Sequence, residues 1–202
     1  MFKKFSSGIL IIILAVLMIA YVIVRYSGSD DRTFRDKILT IDPLTITEIV
    51  IKDPHKGEAV ILKLSGTNWF VSQGSTEFLA DTNIVRRMLD QLSNMPTKRY
   101  AGKGQDAWVK YELTDSVASL VTLKAAEIKV AEIYIGKFAY NMPKEQQQQV
   151  QSRQQRGDMT SYVRLAGEKD VYAVEGFLKM SFSSDINTYR IRNQQEDEAE
   201  KK

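Results

Sequence analysis

Seventeen residues from Gly8 to Val24, GILIIILAVLMIAYVIV, carry no charge, and twelve of them are Ile, Leu or Val. At about −0.3 to −0.6 kcal/mol each on an insertion scale, those twelve favour a bilayer by roughly 4 to 7 kcal/mol. At a helical rise of about 1.5 Å the run covers ~25 Å, and extending it from Phe5 to Tyr26 gives ~33 Å, enough for a hydrocarbon core of about 30 Å. The run therefore predicts a transmembrane helix and divides the chain into an anchor and a remainder. A cleaved signal peptide is the competing reading, but it calls for a shorter apolar region followed by small residues in an A-x-A pattern. Val22, Ile23, Val24, Arg25 and Tyr26 stand there instead, and the chain has no cysteine for lipidation.

Charge bias sets the expected orientation, because short basic flanks stay in the cytoplasm. Lys3 and Lys4 flank the short side without an acid, whereas the far side opens with the mixed cluster Asp30, Asp31, Arg32 and Arg35. The expectation is a single-pass protein of a bacterial inner membrane, held in the lipid bilayer through residues 8–24, with its N-terminus cytoplasmic and its bulk periplasmic. The segments expected are 1–28 for the stub and anchor, 29–40 for a juxtamembrane neck, 41–190 for an extracytoplasmic domain and 191–202 for a charged tail.

Of 28 basic residues, Lys3, Lys4 and Arg25 flank the anchor, and no acid precedes Asp30. The rest of the chain then holds 25 basic and 25 acidic residues. That balance argues against nucleic acid, which demands a basic footprint. Lys98, Arg99 and Lys103 read as a solvated loop, and the lack of cysteine excludes disulfides, thiolate metal sites and a cysteine nucleophile.

Hydropathy beyond the neck turns to strand periodicity. Thr33 to Leu39 reads as a helical turn. Ile49 and Ile51 alternate with Glu48, Val50 and Lys52, and Val60, Leu62 and Leu64 resume the alternation after His55, Lys56 and Gly57, which predicts a hairpin. Ser65-Gly66-Thr67 turns into Asn68–Ser72, with Trp69 and Val71 on one face and Phe70 on the other, and a fourth strand covers Glu77 to Ala80. Asp81 and Thr82 suit the cap of a helix running to Met95, with Ile84, Val85, Met88, Leu89, Leu92 and Met95 on one stripe and Pro96 as its stop.

The second half repeats this order. Leu120–Lys124 and Ile128–Ile135 predict a hairpin with a bulge near Ala131, Ser161–Leu165 and Val171–Val174 predict two strands, and Glu175 takes the place of Asp81 before a final helix with Phe177, Leu178 and Met180. The fold expected is α+β: an N-terminal transmembrane helix followed by an antiparallel-sheet-rich domain of two tandem ββββα units, 41–100 and 111–190. Trp108, Tyr111 and Leu113 lie between the halves as core plugs. The glutamine-rich stretch 141–158 has too little apolar content to bury itself and reads as a loop.

Little in the chain suggests chemistry. His55 is the only histidine and sits between Pro54 and Lys56, so neither a zinc site nor a Ser-His-Asp triad has its parts, and no G-x-S-x-G elbow occurs. Gly102-Lys103-Gly104 lacks the rest of a phosphate loop. No catalytic residue, metal ligand or cofactor site is assigned, and an enzyme is not expected.

Four stretches nevertheless resemble a known family. Tyr111-Glu112-Leu113 is similar to the Tyr-Gly-Leu element of the bacterial domain-of-unknown-function family numbered 4340. Ile133-Tyr134-Ile135-Gly136-Lys137 resembles its strand ending in Gly-Lys, while Tyr162-Val163-Arg164 and Val171-Tyr172-Ala173-Val174 resemble its later strands. Glu112 stands where that family carries glycine, and Ser116 where proline often follows. The resemblance spans roughly residues 41–190 and implies a membrane-anchored protein linked with ABC-type transport systems of the gliding-motility kind, with no catalytic residues to carry over.

The function expected is a non-catalytic binding or scaffolding domain, an accessory of an ABC-type transporter. The alternative is an envelope ligand or polymer sensor in which Trp69, Phe70, Tyr162 and Tyr172 line a groove between sheets, although core packing explains the same aromatics. An extracytoplasmic hydrolase comes third.

Overall fold

The computed structural model describes residues 14, 17, 18, 35–141 and 158–191, in two units, 1–33 and 34–202. The apolar run 8–24 and most of the glutamine-rich stretch 141–158 lie outside the described residues. Leu14, Leu17 and Met18 are helical and exposed, and among the described residues no helix is long and apolar enough to cross a membrane.

The unit 34–202 is sheet-rich. A 3-10 turn, Pro43–Thr45, leads into β1 (Glu48–Lys52), β2 (Val60–Ser65), β3 (Asn68–Gln73), β4 (Thr76–Leu79), helix α1 (Thr82–Ser93), β5 (Thr97–Lys103) and helix α2 (Gly104–Lys110). Then follow β6 (Ser119–Ala125), β7 (Ile128–Asn141), β8 (Asp158–Leu165), β9 (Asp170–Glu175), helix α3 (Leu178–Ser181) and a second 3-10 turn, Ile186–Thr188. All nine strands join one sheet in the order β4-β3-β2-β1-β6-β7-β8-β9-β5, and every pair is antiparallel. The element order of β1 to α1 recurs from β6 to α3, and the first strands of the two runs, β1 and β6, pair side by side.

Strand alternation sorts side chains onto two faces. On one, Ile49, Ile51, Leu62, Val71, Leu123, Ile133 and Val163 are fully buried in one cluster with Val85, Met88, Leu89 and Leu92 of α1 and with Leu178, Phe182 and Tyr189 near the end of the domain. Each such aliphatic side chain stabilises the fold by about 1.5–3 kcal/mol. Asp81 caps α1 by accepting the Asn83 amide at 2.8 Å, as its position before the stripe predicts. On the other face, α2 packs Ala107 with Tyr111, Leu113, Tyr162, Val171 and Ala173 in a smaller cluster.

Several expectations change. Lys98, Arg99 and Lys103 lie on β5, not in a loop: this charged strand forms the outer edge of the sheet, where lysine and arginine suit a solvent-facing border. The segment at Lys37 is extended and bridges to Pro96, so Thr33–Leu39 forms no helical turn over its described part. Glu175 does not cap the last helix. That helix spans four residues, its N-cap is Phe177, and its first amide, at Leu178, donates to Ser161 Oγ at 3.0 Å. The β6–β7 register shifts where Val130 is bulged out, beside Ala131.

Both sheet edges are covered over part of their length. The Ile38 amide donates to the Met95 carbonyl at 3.2 Å and the Thr97 amide to the Asp36 carbonyl at 2.9 Å, closing the start of β5. At the far border Ala80 bridges to Arg190, the Asp81 amide donates to the Tyr189 carbonyl at 2.8 Å, and the Ile191 amide to the Leu79 carbonyl at 3.3 Å. Tyr189 is fully buried and its hydroxyl donates to the Ser183 carbonyl at 2.7 Å.

Candidate functional site

Before β1 the chain makes a rigid turn. Pro43 fixes one backbone angle, the Asp42 carboxylate accepts the Leu44 amide at 3.0 Å, and the Thr45 hydroxyl donates to the Asp42 carbonyl at 2.8 Å. Its apex, Leu44, is 92% exposed. Beneath this turn a cleft of about 460 Å³ opens between the turn, the β2–β3 hairpin and α1. Leu44, Ile46, Leu64, Trp69 and Leu89 form its apolar walls, and Asp42, Thr67, Thr82, Arg86 and Asp90 its polar rim. The volume falls in the usual range for ligand pockets, about 300–1,000 Å³. With apolar walls and one guanidinium among two carboxylates on the rim, the cleft suits an apolar side chain or a small amphipathic group.

A second constellation lies on the opposite face. Arg164 is 4% exposed, yet its guanidinium is held from four sides. It stacks over Trp108 at 4.2 Å and Tyr134 at 3.7 Å, donates Nε–H to the Leu113 carbonyl at 2.7 Å, and pairs through Nη2 with Asp115. A buried cation is costly unless so satisfied. Burial, and the Asp115 carboxylate after it, push the Tyr134 hydroxyl up, partly offset by Arg164. Next to this group Tyr111 stacks on Tyr162 at 4.1 Å, and Arg99 donates to the Tyr162 hydroxyl at 2.8 Å. These contacts staple the segment 104–115 to β7 and β8, and the donors that carry them are spent on the protein itself.

The four stretches Tyr111–Leu113, Ile133–Lys137, Tyr162–Arg164 and Val171–Val174 converge here. Helix α2 ends with the Leu113 amide donating to the Trp108 carbonyl at 2.7 Å and the Glu112 amide to the Val109 carbonyl at 3.3 Å. That is a Schellman ending, whose left-handed residue is normally glycine; here Glu112 adopts φ 56°. Gly136 lets this ending lie against β7: a Cβ there would stand 2.3 Å from the Tyr111 carbonyl oxygen.

No family model matches this chain, and no curated protein or solved structure matches it either.

The structure does not bring the four aromatics expected to line a groove onto one surface. Among the described residues there is one sheet rather than two facing sheets, and Trp69 and Tyr172 are buried on its α1 face while Tyr162 is buried on the α2 face. Phe70 is half-buried on the side opposite Trp69. Trp69 alone of the four lines the cleft described above. His55 lies in the exposed β1–β2 connection, where its amide donates to the Asp53 carboxylate at 2.9 Å. Residues that sequence reasoning missed are Leu44, Arg86 and Asp90 at the cleft and Arg164 at the staple. A leucine after proline in a short Asp-Pro-Leu-Thr turn was the available signal for the first.

Proposed function

We propose that this chain is a single-pass protein of a bacterial inner membrane, anchored through residues 8–24 with its N-terminus cytoplasmic, and that its body is an extracytoplasmic binding or scaffolding module rather than an enzyme. The observation that carries the binding reading is the cleft beside Trp69, an apolar hollow with Leu44 in its wall, held out in water at the apex of the capped turn. An exposed leucine at the apex of a capped turn gains nothing for folding, and it suits an apolar side chain of a partner protein seated in the cleft.

The family resemblance supports placing the module beside an ABC-type transporter. The recurring strand order supports two tandem ββββα units related by duplication, since β1 and β6 pair at the centre and each meander extends outward from them.

Photo-crosslinking tests the binding reading. With a benzophenone side chain at Leu44 in the full-length chain, the expected adduct is a subunit of a membrane complex, and Arg86→Glu should weaken it. Affinity purification that reproducibly lacks any transporter subunit removes the transport association. A second reading, sensing of an envelope ligand or polymer, is supported by Trp69 in the cleft wall. Envelope fragments that leave Trp69 fluorescence unchanged would dismiss it.

A further inference from the structure

Strand alternation and one short helix leave a group of apolar side chains in water on the α1 face, away from the Leu44 cleft. Phe138 and Tyr140 stand two apart near the end of β7, so they share a face, and their register partners on β8 are Ser161 and Met159. Ser161 shows which face it is: its Oγ donates to the Gly176 carbonyl at 2.7 Å and accepts the Leu178 amide at 3.0 Å, and Leu178 belongs to the cluster that holds the buried stripe of α1. Phe177 then stacks on Phe138 at 4.2 Å. Met180 is 71% exposed, Tyr140 49%, Met159 42% and Phe177 37%.

This surface runs on to α1. A hollow of about 320 Å³ opens between α1 and α3, lined by Ile84, Arg87, Met88 and Gln91 on one side and by Met180 and Thr188 on the other. Gln91 also adjoins Gly176, where an added Cβ would lie 3.3 Å from its Nε2, and the Gly176 amide donates to the Met159 carbonyl at 3.0 Å, so the hollow and the strand-end residues are continuous. At 3.6 residues per turn these positions fall on the flank of α1 opposite Thr82, Arg86, Leu89 and Asp90, which line the Leu44 cleft.

An apolar surface alone does not name its occupant; here the charges beside it do. Arg87 lines the hollow and Lys179 stands between Leu178 and Met180, and neither has an acid partner among the described residues. No acid lines the hollow. Glu175, just before α3, alternates onto the other face of the sheet together with Ala173. Exposed methionine and aromatic side chains adapt to a partner's shape and are enriched at the centres of protein interfaces. Unpaired cations at the rim select the sign of what docks there.

We infer that this surface docks an acidic amphipathic segment of a partner protein. An apolar side chain of that segment enters the hollow between α1 and α3, and its carboxylates meet Arg87 and Lys179. A basic segment would be repelled by both cations, which is how the surface discriminates. The site is separate from the Leu44 cleft, and either can fail without the other.

Random short peptides displayed on phage are the probe, selected on the full-length chain held in a nonionic amphipol. Enriched peptides should combine Asp or Glu with Leu, Ile or Phe. By fluorescence anisotropy, Arg87→Glu and Met180→Asp should each weaken a selected peptide by at least about tenfold, while Leu44→Asp leaves its binding unchanged. Arg87 and Met180 are both exposed, and far-ultraviolet CD should be the same for all three variants and the parent chain. Peptides that enrich without acidic residues, that bind Arg87→Glu and Met180→Asp undiminished, or that are lost with Leu44→Asp overturn the inference, as does a library from which nothing enriches. Self-association that Met180→Asp abolishes assigns the surface to a second copy, and binding that appears only after removal of residues 144–155 assigns it to the chain's own segment; both also overturn it.

Discussion

Replacing Gly136 by alanine tests the staple between α2 and β7 at its tightest point. The added Cβ would lie 2.3 Å from the Tyr111 carbonyl oxygen and 2.8 Å from both the Glu112 carbonyl oxygen and Leu113 Cγ. An ordinary carbon–oxygen contact needs about 3.3 Å, so the backbone of 111–112 must retreat by roughly 1 Å. That retreat stretches the Lys137 amide bond to the Tyr111 carbonyl, now 2.8 Å, and disturbs the Tyr111–Tyr162 stack. Overpacking of this kind costs about 1–3 kcal/mol and loss of the hydrogen bond about 0.5–1.5, giving a destabilisation of roughly 2–4 kcal/mol. Urea unfolding of the full-length chain in detergent, followed by far-ultraviolet CD, should show a midpoint lowered by about 1–2 M at unchanged slope. Because two of the three clashes are with backbone, adding Leu113→Ala should not rescue the variant; the coupling in a double-mutant cycle should stay under about 1 kcal/mol. A Gly136→Ala loss below about 0.5 kcal/mol, or full rescue by Leu113→Ala, would refute the close approach.

Glu112→Gly should stabilise the same unfolding transition by a few tenths to about 1 kcal/mol, because relief of the left-handed backbone at φ 56° outweighs the greater freedom of glycine in the unfolded chain. Thr97→Val should gain about 0.5–2 kcal/mol by the same assay, since the buried Thr97 hydroxyl finds no hydrogen-bond partner among the described residues. Burial pushes the Tyr189 hydroxyl far above its ordinary value, so its contribution is complete below about pH 10 and declines above it. Unfolding then releases one more proton from this tyrosine, and stability falls by about 1.4 kcal/mol per pH unit. Tyr189→Phe should remove that part of the slope and lose about 1 kcal/mol at neutral pH with the bond to Ser183.

The inner strands were legible because one face of each is buried and the other is not. Ile49 and Ile51, Leu62 and Leu64, and Trp69 and Val71 carry the period of two and take the same α1 face. β5 was missed because its sequence, TKRYAGK, belongs to a border strand that meets solvent and shows no such period. Helix α2 was missed because seven residues with one buried side chain, Ala107, make no stripe. Alternation also says which residues of one strand share a face, but not which strands of the sheet meet which helix, and so Tyr162 and Tyr172 were grouped although they point to opposite sides. Arg164 reads as a polar strand residue until Trp108 and Leu113, far away in sequence, supply its ring and carbonyl. The cleft escaped for the same reason, its walls coming from three separated segments.

The closure of the β4 border by residues 189–191 has a consequence for how the molecule is made. A ribosome delivers β4 more than a hundred residues before the segment that covers it. Throughout synthesis the nascent sheet carries a naked hydrogen-bonding flank, a template for stray pairing with other chains. Ending translation before Tyr189 would make that exposure permanent, and such shortened products should aggregate where the whole chain does not.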